Sequence, residues 1–301
     1  MDILISRPNM AKLESLFNTI ANPDSMFIKF VKDERADIHF PKVHYKFFFN
    51  SIYKNDDQDG YILLDAVFEV NPYLSIVKKQ VKNDILFSTE PYLYVSLPSI
   101  TDIMIDKLTA FAPNTIGVRF KRVSKEGAFR DQSREVIKQW FDVNELYKNF
   151  TDKENLKMRY ISLSKFEIEQ RNLEIDYTAC LTDTISVVLC FLSKGKRNPE
   201  TFEKMKKGIR SLKSFVNTDL DESYFISASV NIIELISYIF CDSPFEYNEL
   251  FEKSRKEIVY EDFIGQMGIK KIVDLVRVNN TTDRDRLIKS LRVVSDFIIV
   301  Q

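Results

Sequence analysis

The residue pattern changes character near Thr151, and that change limits the fold more than any other feature of the chain. Before it, short alternating apolar runs are interleaved with helical stretches. After it, every periodic segment has helical spacing. Strand signals fall at Asp2–Ser6, Met26–Val31, Ala36–Phe40, Val43–Tyr53, Tyr61–Val70 and Leu93–Leu97, and Pro8 opens a helix through Ile20. Polar Lys54–Gly60 reads as a hairpin loop. Helices are predicted over Ser99–Phe111 and Ser133–Phe150, separated by a basic segment, FKRVSKEGAFRDQS, read as a mobile loop. Helices alone follow, at 152–173, 176–193, 199–216, 222–241, 246–259 and 283–299, with Asp283 placed to cap the last. Strand-rich then helix-only patterning predicts an α+β chain of two domains, 1–150 and 151–301.

Composition narrows the function classes. Apolar residues make up 45% and charged residues 29%, which is enough to fill a core in each domain. The net charge of −1 provides no global field toward nucleic acid or membrane, so any such contact needs a local patch. Cys180, Cys190 and Cys241 sit in apolar runs and read as buried thiols of a reducing cytosol. With only His39 and His44, a His/Cys zinc site has too few ligands. No stretch reads as a signal peptide or membrane span, and the apolar run Thr184–Leu192 is too short to cross a bilayer, so a cytoplasmic protein without membrane contact is expected. The P-loop, GxGxxG, GxSxG and HExxH patterns are absent.

Several polar residues occupy unexpected positions. On a helical wheel Lys107 falls within the arc of Ile100, Ile103, Met104, Leu108 and Phe111, while Asp102 and Asp106 fall opposite. A lysine there either meets an anion such as a phosphate, or snorkels out or pairs with a core carboxylate. In YILLDAVFEV, alternation places Asp65 on one strand face with Tyr61, Leu63 and Val67, and Leu64, Ala66 and Phe68 on the other. Mid-strand Asp is disfavoured, so it is either a metal ligand lining a cleft or an acid on a solvated sheet face. Lys138 and Asp142 are i,i+4 neighbours beside the apolar arc of Val136, Trp140, Val143, Tyr147 and Phe150, a spacing that also describes an ordinary surface ion pair. Lys206, Arg210 and Lys213 form a cationic ridge beside a seam of Phe202, Met205, Ile209, Leu212 and Val216. That ridge either holds a phosphate backbone or is a solvated helix face.

At these residues the chain resembles a known family. LPSITDIMIDKLTAFAPNTIG (97–117) followed by REVIKQWFDVNELY (134–147), with VHYKFFFNSIY and YILLDAVFEVNPY before them, resembles the AbiEii/AbiGii toxin family of nucleotidyltransferases. The resemblance implies a polymerase-beta-like nucleotidyltransferase core with a mixed sheet, followed by an all-helical bundle. It implies transfer of a nucleotide from a nucleoside triphosphate (NTP) to RNA, tRNA foremost, or to protein, with Mg²⁺ or Mn²⁺ held by acidic residues. A cognate antitoxin partner is also implied.

Matched position by position, Asp2 corresponds to the second acid of the family's D-x-D pair and Asp65 to the third carboxylate, which makes both metal ligands. Lys107 corresponds to a phosphate-contacting helix lysine, and Lys138 and Asp142 to a later basic–acidic motif in which Gln139 replaces an expected acid. The first acid and a Gly-Ser phosphate turn would fall before Met1, either because the start is placed too late or because the gene is shortened. In the shortened case the alternative is a catalytically impaired remnant that binds a nucleotide or a partner.

Overall fold

A computed structural model describes the chain apart from residues 1, 6–9, 34–41, 52–58, 69, 83–89, 124–126, 242–247, 250–268 and 299–301. By its internal contacts the chain divides into two units, Met1–Pro72 and Tyr73–Gln301.

The first unit is built on a four-stranded mixed sheet. Strands β1 (Asp2–Ile5), β2 (Lys29–Asp33), β3 (Lys42–Phe49) and β4 (Gly60–Phe68) lie in the order β1-β4-β3-β2. β1 runs parallel to β4, and the other neighbours are antiparallel. Alternation along β3 and β4 turns Tyr45, Phe47, Leu64, Ala66 and Phe68 to one face, where all five are buried. Helix α1 (Met10–Ile20) covers that face through Phe17, whose ring meets Tyr45 and Phe47 edge-on, each at 4.9 Å between centroids. Burying each such aromatic stabilises the unit by roughly 1.5–3 kcal/mol. The expected strand at Ala36–Phe40 and most of the hairpin loop at 54–60 lie outside the described residues.

The second unit begins with an antiparallel pair, β5 (Ile76–Gln80) and β6 (Tyr94–Pro98). β5 was not expected, because IVKKQ is too polar to signal a strand. Helix α2 (Ile100–Ala110) follows, with Ser99 as its N-cap accepting from the Asp102 amide. The segment read as a mobile loop contains a hairpin, β7 (Lys121–Val123) against β8 (Phe129–Asp131). Helices α3 (Ser133–Tyr147), α4 (Leu156–Gln170), α5 (Tyr177–Leu192), α6 (Pro199–Leu212) and α7 (Glu222–Cys241) match the periodicity to within a few residues. Asp176 caps α5, and Asn198 caps α6 ahead of Pro199, as those residue types favour.

Two differences lie near the C-terminus. Helix α8 (Lys270–Asn279) was not expected, and the predicted helix at 246–259 falls almost wholly outside the described residues. Helix α9 (Thr281–Ile298) starts before Asp283. That residue is therefore not the N-cap: it is buried in the first turn, accepting from Ser227 at 2.8 Å and Arg286 at 2.9 Å. α7 is long and apolar enough to cross a membrane by length and composition, a property the sequence reading did not register, but its side chains are mostly buried within the bundle.

One continuous core joins α2 and α3 to the later helices, from Met104 through Val294. Trp140 is fully buried at its centre, stacked on Phe111 at 5.4 Å and meeting Phe191 and Phe225 edge-on at 5.1 and 4.8 Å. Residue 150, the expected domain boundary, lies within the unit Tyr73–Gln301, and the division by contacts falls between Pro72 and Tyr73. Cys180, Cys190 and Cys241 are free thiols buried in this core.

Candidate active site

In the first unit the sheet register brings two acidic positions together. Asp2 on β1 and Asp65 on β4 are Cα partners in the parallel ladder. Asp65 points away from the Leu64–Phe68 core face and is half-buried. Its antiparallel partner on β3 is His44. The His44 Nδ1 lies 2.7 Å from Asp65 Oδ1, and Lys42 Nζ lies 2.7 Å from Oδ2. An ionised carboxylate only accepts, so His44 Nδ1 carries the proton. Burial works to raise the Asp65 carboxyl, but the hydrogen bonds and charges of Lys42 and His44 outweigh it and hold the group below its ordinary value.

The sequence reading missed Lys42 and His44 as functional neighbours. Alternation along β3, with Tyr45 and Phe47 on the core side, already placed both on the other face. Their pairing with Asp65 depended on register, which the sequence does not encode locally.

A divalent cation fits these residues only in part. Asp2 and Asp65 supply acidic residues at paired positions, but both Asp65 oxygens already meet cationic or N–H neighbours. Among the described residues no group of three or more His, Cys, Asp or Glu side chains converges on a point. A cation seated at Asp65 has to displace Lys42.

In the second unit the wheel reading of α2 needs correction. The buried residues are Thr101, Asp102, Met104, Ile105, Leu108 and Thr109. That arc is rotated away from the one drawn through Ile100 and Phe111, because α3 and α4 both pack against α2 and widen its buried face. Lys107 lies outside it, its side chain 33% exposed, with its amine 3.4 Å from Asp106 Oδ2. Asp102, expected on the polar side, is the buried charge. It accepts from Arg159 at 2.8 Å, Ser99 Oγ at 2.8 Å and the Ser75 amide at 3.0 Å.

Beside Asp106 a cavity of about 130 Å³ is lined by Asp106, Thr109, Gly117, Glu167 and Arg171. Nucleotide sites are generally several hundred Å³, so this one suits water or a small ion. Burial lifts the Glu167 carboxyl, with Arg171 opposing and Asp106 adding to the rise. The turn after α2, Pro113-Asn114-Thr115, is clamped by Asp183 of α5. Asp183 accepts from the Asn114 amide at 2.8 Å, its side-chain amide at 2.6 Å, and the Thr115 amide and hydroxyl at 3.0 Å each. A side chain at Gly117 would meet Ala110 O at 2.5 Å, so only glycine closes this turn.

Lys138 and Asp142 form the i,i+4 ion pair that their spacing predicts, at 2.5 Å on the outer side of α3. Their side chains are 54% and 22% exposed, and neither joins Lys107 in a described contact.

Residues 6–221 match the family described as Nucleotidyl transferase AbiEii toxin, Type IV TA system. The match contains Asp65, Lys107, Lys138 and Asp142, starts after Asp2, and ends before α7. No curated protein and no solved structure matches the chain. With well over half of its length in that match, and with a mixed sheet ahead of a helical region, the chain belongs to the AbiEii family of nucleotidyl transferase toxins.

Proposed function

We propose that this nucleotidyltransferase moves a nucleotide from an NTP to RNA, tRNA foremost, or to a protein, with Mg²⁺ or Mn²⁺ bound through Asp2 and Asp65. The observation that carries the reading is the parallel register setting Asp2 beside Asp65, within a chain of this family. When bound, a divalent cation neutralises triphosphate charge. In this reading His44 and Lys42 hold Asp65 ionised, Lys107 contacts a phosphate, Lys138 binds nucleotide and Asp142 positions charge. The transferase segment runs to residue 150 in this reading, although α2 and α3 pack in the helical unit. The protein works in the cytoplasm beside a cognate antitoxin.

One observation favours a second reading. Lys42 occupies the Asp65 carboxylate, as expected of a transferase-like protein that binds nucleotide or partner without turnover.

The deciding experiment incubates purified chain with each radiolabelled NTP, Mg²⁺ and total RNA. Labelled RNA that disappears with Asp65→Ala and Lys107→Ala, both still folded, supports transfer. Labelling at wild-type level by both variants rejects it. Nucleotide binding without any labelled product favours the second reading.

A further inference from the structure

Two segments of this near-neutral chain carry a local excess of basic charge and pack together. Between Arg119 and Arg134 six cationic residues stand against Glu126 and Asp131, and between Lys194 and Lys213 eight stand against Glu200 and Glu203. The segments meet in the second unit: Lys207 of α6 pairs with Asp131 of β8 at 2.6 Å, and Lys204 lies over the Phe120 ring at 5.9 Å. Gly208 permits this junction, because a Cβ there would lie 2.4 Å from the Ser133 carbonyl of α3.

Three features of the surface call for an anion with aromatic groups. Arg122 and Arg130 are direct cross-strand partners in the β7–β8 hairpin, so two guanidinium groups stand side by side on one face of it. Phe129 is 76% exposed and Phe215 is 66% exposed. The Arg134 guanidinium lies 4.5 Å from the Phe215 ring, so a flat cation already stacks there. Beyond them, Arg210 and Lys213 line a groove of about 370 Å³ on the flank of α6.

We propose that the β7–β8 hairpin and α6 form a binding surface for single-stranded RNA. Phosphates lie along Arg122, Arg130, Arg210 and Lys213, and unpaired bases stack on Phe129 and Phe215. Cations spaced along a strand's path, interleaved with exposed aromatic faces, are the two elements by which proteins hold single strands without reading a duplex groove. The surface deepens the reading of RNA as acceptor and rests on it for its role, but binding itself needs neither NTP nor metal.

The test is fluorescence anisotropy of a labelled 15-nucleotide mixed-sequence RNA titrated with the full chain at several KCl concentrations, without nucleotide or divalent cation. The double charge reversal Arg130→Glu/Arg210→Glu is expected to weaken binding at least about tenfold and to flatten the salt dependence by about one to two units of log–log slope. Phe129→Ala/Phe215→Ala is expected to weaken binding about tenfold with the slope kept. Lys165→Glu, a reversal at a 72%-exposed side chain on α4, is the control and leaves binding intact. Equal affinities for wild type and the Arg130/Arg210 variant overturn the proposal. So does an equal loss with Lys165→Glu, or polyglutamate competing as well as RNA. RNA binding by a wild-type protein that transfers no nucleotide leaves this surface standing and removes the catalytic reading. Transfer with RNA binding unchanged by the variants does the reverse.

Discussion

Lys42 Nζ stands 2.7 Å from Asp65 Oδ2, two positions along β3 from His44, the register partner of the same aspartate. The lysine is thus a competitor for any cation at Asp65. Removing it is expected to raise Mn²⁺ affinity about fivefold to tenfold, the size of one partly screened charge at contact distance. Electron paramagnetic resonance of free Mn²⁺ reads this directly in Lys42→Ala, and the gain vanishes when Asp65→Asn is added. Unchanged Mn²⁺ affinity in Lys42→Ala removes Asp65 from the metal site. In the labelling assay, Asp65→Ala is expected to lose at least about 100-fold in transfer rate.

Lys107 and Lys138 separate binding from stability. Lys138 is exposed and Lys107 is half-buried, and neither belongs to the apolar core. Lys107→Ala is expected to weaken NTP binding about tenfold or more, the worth of one charge-assisted hydrogen bond, and to leave the unfolding free energy within about 0.5 kcal/mol. Asp142→Ala breaks a surface i,i+4 pair and costs a few tenths of a kcal/mol at most. A fluorescent NTP analogue with urea unfolding on the same samples distinguishes the two quantities. Wild-type NTP affinity in Lys107→Ala would return that lysine to the ordinary solvated class.

The β4 pattern was legible because alternation is local: Leu64, Ala66 and Phe68 are the buried face, and Asp65 is on the other. The helices of the second half were legible for the same reason, with Asp176, Asn198 and Pro199 marking their starts. Lys107 misled because a wheel ranks residues by polarity alone. α2 buries Asp102, which polarity would put outside, since Arg159 arrives from α4, 57 positions away, to pair with it. The Lys42–Asp65 pair and the Asp183 clamp on Asn114 and Thr115 share that property. Each is a long-range polar match, set by tertiary register rather than by any local period.

Asp131 predicts a pH effect of definite sign. Its carboxyl accepts from Lys207 and the Ser133 hydroxyl, which outweigh the opposing effect of burial, and also from the Ser133 amide at the start of α3. The result is a pKa lowered from 3.8 to about 2. A group lowered on folding stabilises the protein above its unfolded value near 3.9. That stability is lost as pH falls from about 4 through about 2. The side chain is 41% exposed, so the contribution is under about 1 kcal/mol after solvent screening. The gap in urea-unfolding free energy between wild type and Asp131→Asn is expected to be constant from pH 7 to pH 5 and to narrow below pH 4. A gap that widens on acidification contradicts the assignment.

The Asp102–Arg159 pair yields the largest expected loss. Their side chains are 1% and 6% exposed, and Arg159 also donates to Asp152 at 3.0 Å and Ser75 Oγ at 3.2 Å. Through these bonds one guanidinium fastens α4, the segment before it and the approach to β5 onto the first turn of α2. Charges removed from water hold together only as a set, so deleting one partner strands the other. Arg159→Met is expected to cost about 3–5 kcal/mol, and Asp102→Asn a comparable amount. The double variant Asp102→Leu/Arg159→Met is expected to recover a large part of that loss, because it leaves no buried charge unpaired. Urea unfolding of all three variants checks the cycle. Additive losses in the double variant would mean that the two charges do not stabilise each other and that α2 is anchored by its apolar face alone.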